Sequence, residues 1–209
     1  MTPTAATVRR RSAAALLLAL LATVSIAQPA FAHENQVIEY GSFLAGLTHP
    51  VLGLDHFLAM VSVGIVSALM GGRAIWTVPG AFVLMMGVGG MAGWWGLAIP
   101  SSVVEIAIAL SVVLLGGVIL LNQKLPMPLA MGAVTFFGFF HGFAHGAEIP
   151  DVAAPSEYAP GFMMGTVLLH LLGVLIGDMA QRYNRGVMIL RVAGGAFMVL
   201  GLLFIVGVM

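Results

Sequence analysis

From Phe43 onward the chain is a succession of long apolar runs, and four of its five lysines and arginines fall in the short links between them. Runs of about 20 apolar residues match the hydrocarbon thickness of a bilayer, where every backbone amide must be satisfied inside its own segment. Helices meet that demand, so the pattern predicts an all-α, polytopic membrane protein. The composition agrees, with 60% hydrophobic and only 8% charged residues. Nothing basic enough to hold a nucleic acid is present. The expected spans cover about 43–70, 75–97, 103–121, 128–147, 161–178 and 186–209, a six-transmembrane-helix bundle. The first is long, and Gly46, Pro50 and Gly53 allow its outer part to bend or unwind.

Residues 1–32 read as a cleaved signal peptide rather than a span. Arg9-Arg10-Arg11 is a positive leader, Ala13 to Ile26 an apolar stretch too short to cross, and Ala30-Phe31-Ala32 a small-residue cleavage site. The mature permease domain would then be 33–209, starting at His33 on the outer side, where an α-amine beside an imidazole would form a possible chelator. Loss of three arginines leaves five basic against eight acidic residues. The positive-inside rule tests orientation separately. With both termini outside, Arg73, Lys124, Arg182 and Arg185 all fall in inner loops, and Arg191 reaches the same face by snorkelling. The expected location is therefore the bacterial inner membrane, with both ends periplasmic.

Within this apolar frame, two stretches carry chemistry. His141, His145 and Glu148, at i, i+4 and i+7, fall within about 60° of one another on a helix face. His49 and His56, seven residues apart, would share a face of the first span, with Asp55 beside His56. Ionisable groups at membrane depth cost about 2.5–3.5 kcal/mol each even on insertion scales, so such a cluster points to function. Four imidazoles and two carboxylates suit a divalent transition metal, and the absence of cysteine rules out thiolate ligation and disulfides. The 14 methionines are scattered through the spans and read as packing rather than as copper(I) ligands. An acidic outer loop with Glu148, Asp151 and Glu157 would concentrate cations at the mouth.

Other residues carry weaker signals. Gly138, Gly142 and Gly146 form a small-residue stripe beside the histidine face, suited to close helix packing that brings a neighbour's ligands near. Ser102 to Glu105 fits a capping box, although Glu105 at an outer helix end is also a possible ligand. His170, alone in the fifth span, suggests a hydrogen bond across the bundle. Asp178 and Arg182 form a structural i, i+4 pair. An inverted repeat of three spans is possible, but one motif lies early in its span and the other late, which gives symmetry-related sites little support.

His49, Asp55 and His56 in H-x-x-x-x-x-D-H, together with Phe140-His141-Gly142-x-Ala144-His145-Gly146-x-Glu148, resemble the two signature motifs of the HupE/UreJ family of nickel permeases. The resemblance extends over the whole chain. The better-known nickel/cobalt transporters have four residues, not five, between the first histidine and the aspartate. The resemblance implies uptake of nickel, or cobalt in some members, for hydrogenase or urease maturation. It also implies that His49, Asp55, His56, His141, His145 and Glu148 bind the metal. The expected partners are the divalent cation and the bilayer, with no prosthetic group and no enzymatic activity. A membrane-embedded zinc-dependent hydrolase built on the same cluster is the rival reading, although no H-E-x-x-H is present.

Overall fold

The structure is a computed structural model that describes residues 41–149 and 153–207. The leader at 1–32, His33 and Asp151 lie outside that range. Among the described residues there are seven helices and no strand: α1 Ser42–Leu52, α2 Leu54–Met70, α3 Ala74–Trp94, α4 Ser101–Leu121, α5 Met127–Ala147, α6 Pro155–Arg182 and α7 Gly186–Ile205. Five of them, α3 to α7, are long and apolar enough to cross a membrane, and α1 with α2, bent by 81°, makes a sixth when the pair is counted as one broken span rather than a re-entrant loop. The chain is an all-α, multi-pass membrane protein.

The seventh helix comes from the first span, which is not continuous. Pro50 has no N–H to continue the ladder, and Gly53 takes an extended conformation (φ −82°, ψ 113°), where α1 ends and α2 begins. His49 and His56 therefore do not share one helix face. Beyond the break α2 becomes the central helix: every residue from Leu58 to Leu69 is buried, as expected of a helix apolar on all sides. It packs against α6, α4 and α3.

Close approach between helices is achieved with glycine. The most extensive pairing is α3 with α5. There, a side chain on Gly138, Gly142 or Gly146 would strike the backbone of Phe82, Met86 or Gly90. The helix that this stripe draws in thus carries Phe82 and Met86 rather than metal-binding groups, contrary to expectation.

The bundle's surface suits lipid. Large apolar side chains such as Leu84, Leu168 and Ile189 are exposed, with Trp76 and Tyr183 towards one end of the bundle and Trp94 and Trp95 at the other, as aromatic belts require. At the end bearing the basic loops, side chains satisfy terminal carbonyls. Arg191 Nε donates to Leu120 O (2.9 Å) and Gln181 Nε2 to Ala68 O (3.1 Å). Arg182 holds Asp178 with two hydrogen bonds of 2.8 and 3.1 Å, and both residues are exposed. The capping box does not form. Pro100 (φ −57°, ψ 134°) occupies the N-cap of α4 without a side-chain bond, which places Ser102 inside the helix and leaves Glu105 exposed.

Candidate metal centre

On α5 the helical repeat sets His141 and His145 one turn apart, and both are buried. The bend at Gly53 brings two more rings to them from separate helices. His145 lies 4.8 Å from His49 and 4.3 Å from His56, measured between ring centroids. His56 in turn lies 4.7 Å from His141. The order His49, His145, His56, His141 is a continuous file of imidazoles. Phe82 extends it, 5.4 Å from His141 and 5.1 Å from His170. Phe162 covers His145 from α6 at 4.1 Å.

Asp55 does not stand apart from this file. Its Oδ1 accepts the His56 backbone N–H (2.8 Å) and the His56 Nδ1–H (2.9 Å). A carboxylate only accepts, so Nδ1 carries the ring proton and Nε2 keeps its lone pair. Gly53 leaves room for this pair, since a Cβ there would lie 3.2 Å from Asp55 Oδ1 and 3.4 Å from His56 Nδ1. Asp55→Asn retains the shape but removes the charge. The affinity of the purified protein for a divalent metal should fall about 10- to 100-fold, the usual cost of losing a group that orients a ligand. An unchanged affinity would reduce Asp55 to packing.

Among the described residues, six buried imidazole nitrogens have no hydrogen-bond partner: His56 Nε2, His141 Nδ1, and both ring nitrogens of His145 and of His170. Each such orphan costs about 1–3 kcal/mol, so several in one region mark a place prepared for something the protein does not itself supply. The rings meet mainly edge to face, and among the described residues no three His, Asp or Glu side chains already surround one point. Gripping an ion therefore requires ring rotation.

Glu148 departs from the expected row. The helix ends at Ala147, and Glu148 is exposed with non-helical backbone (φ −114°, ψ 16°). Glu157 is exposed as well. An apolar cavity of about 600 Å³ between α3, α5 and α6 reaches His145, with walls that are mainly apolar, Met91, Trp94 and Met163 among them, and with Ser156 and Tyr158 as its hydroxyl-bearing side chains.

His170 lacks the cross-bundle hydrogen bond expected of it, because its neighbour at ring distance is Phe82. Replacing it with leucine removes an unsatisfied polar group. His170→Leu should raise the thermal stability of the metal-free protein in detergent, and a marked fall would reveal a partner. Sequence reading also missed Ser111 and Phe162. Ser111 had one usable signal, a hydroxyl in mid-span among apolar neighbours.

The family model described as HupE / UreJ protein matches residues 20–204 of this sequence. The chain belongs to the HupE/UreJ family. It is 43% identical over 184 residues to Protein HupE of Rhizobium leguminosarum bv. viciae, a match covering 88% of this chain and 94% of that protein. No solved structure matches it. The resemblance drawn from the two motifs is thus borne out as a family relationship. In space, the first HupE/UreJ motif straddles the Gly53 break and the second forms the last two turns of α5 and its C-cap, Glu148.

Proposed function

We propose that this HupE/UreJ chain is an inner-membrane permease that takes up a divalent transition metal from the periplasm, with Ni²⁺ as its cargo, for hydrogenase or urease maturation. The family supports a nickel or cobalt transporter. The orphaned imidazole nitrogens of His56 on α2 and of His141 and His145 on α5, with the His49 ring of α1 against His145, carry the reading to these residues.

Nitrogen and oxygen donors suit Ni²⁺ and Co²⁺. Glu148 and Glu157, exposed near the outer end, would raise the local cation concentration. His49 and His145 would receive the ion first, and His56 and His141 would replace more of its water, with Asp55 balancing charge. Metal and protons compete for the same lone pairs, so protonation or separation of the rings releases the cargo inward. Nothing in the family relationship favours the zinc hydrolase, and Asp55, the carboxylate nearest the rings, is engaged by His56.

Full-length protein in liposomes tests this. Wild type should accumulate Ni²⁺ in the lumen, and His141→Ala should not. Turnover of a lipid or peptide without ion flux would overturn the proposal.

A further inference from the structure

We infer that Ser111 is a positioning residue that fixes the tautomer of His141, so that Nδ1 and not Nε2 is the atom offered to the cargo. The consequence for transport rests on the permease reading; the tautomer itself does not.

Ser111 lies on α4 and is fully buried, as is His141. Its hydroxyl is 2.6 Å from the Ile108 carbonyl oxygen and 3.0 Å from His141 Nε2. A hydroxyl has one proton to donate. Two oxygens 2.6 Å apart repel unless a proton lies between them, and a carbonyl has none, so the Ser111 proton sits on the Ile108 side. The hydroxyl therefore turns a lone pair towards His141, and only an N–H can meet it favourably. Nε2 is the donor. A neutral imidazole carries a single N–H, which leaves Nδ1 with a free lone pair, and Nδ1 is the nitrogen of His141 that is buried without a partner.

His56 is set in the opposite sense. Asp55 takes its Nδ1–H and leaves Nε2 bare. Adjacent rings, 4.7 Å between centroids, thus present opposite nitrogens. The two settings also differ in strength. A carboxylate behind a ring makes it a better metal donor, whereas a neutral hydroxyl adds little. His56 is the tighter ligand, and His141 is preset in direction but more easily released.

The test uses full-length, metal-free protein with ¹⁵N-labelled histidine in nanodiscs, where ring-nitrogen shifts distinguish the tautomers and His141→Gln assigns the signal. Wild type should show His141 as the Nε2–H form. Ser111→Ala should gain a population of the Nδ1–H form and lose about tenfold in Ni²⁺ uptake at limiting metal, while Ser111→Thr, which keeps the hydroxyl, should recover both. An Nδ1–H form in wild type overturns the inference, as does wild-type uptake by Ser111→Ala. If Ser111→Ala does not insert, the wild-type spectrum alone decides. An Nε2–H form in a wild-type chain that moves no nickel supports the tautomer and overturns the permease reading, which keeps the two failures distinct.

Discussion

Replacing His145 with alanine is expected to abolish nickel accumulation while leaving the chain in the membrane. His145 is the ring that touches both His49 on α1 and His56 on α2, so it links the first span's imidazoles to α5. Both of its nitrogens are buried and unpartnered, and no protein hydrogen bond is lost when it goes. What is lost is a donor in the middle of the file. Groups that merely orient a ligand are worth about 10- to 100-fold, so the initial uptake rate at limiting nickel should fall by at least about 100-fold. His145→Gln separates ligation from volume, since it fills much of the space beside Phe162 with a poor metal donor, and it should fail as completely. Wild-type uptake by both variants, at equal amounts in the membrane, would remove His145 from the path.

The crossings were legible because lipid imposes a length and forbids unsatisfied backbone, and both constraints are written in composition. Pro50 and Gly53 announced a weakness in the first span. They did not announce an 81° bend, which depends on what α1 and α2 each pack against. The bend matters for the site. A shared face on one straight helix would have paired His49 with His56, but the two stand on different helices and meet at His145 instead. On α5 the i, i+4 relation between His141 and His145 needed only the helical repeat. At Glu148 the repeat alone does not suffice, because the helix stops one residue earlier and leaves this carboxylate at its C-cap. Phe162 was invisible as a site residue, and the mid-span hydroxyl of Ser111 could not be assigned to the site, because nothing in the period of α4 or α6 distinguishes the face turned to the histidines. That choice is made by tertiary packing.

A single methyl group at Gly142 should damage the same site without touching a ligand. Its Cβ would fall on the Met86 carbonyl, as one at Gly146 would fall on that of Gly90. These are backbone atoms of α3 and cannot swing aside as a flexible side chain would. The helices must separate instead, and overpacking of this kind costs about 1–3 kcal/mol. His141 and His145 are the residues immediately before these two glycines, so a shift of α5 displaces both imidazoles relative to His56. Misplacement by about 1 Å is enough to lower a geometry-dependent rate about 100-fold. Gly142→Ala should therefore unfold at lower temperature in detergent and, in the fraction that remains folded, transport poorly. Gly132 supplies the control on the same helix. A Cβ there meets nothing within 4 Å, and alanine is the better helix former by about 1 kcal/mol, so Gly132→Ala should match or exceed wild-type stability and transport normally. Equal behaviour of the two variants would mean that the approach of α3 to α5 does not hold the imidazoles in place. A Gly142→Ala chain of normal stability and lost uptake would instead locate the damage in the alignment of the rings.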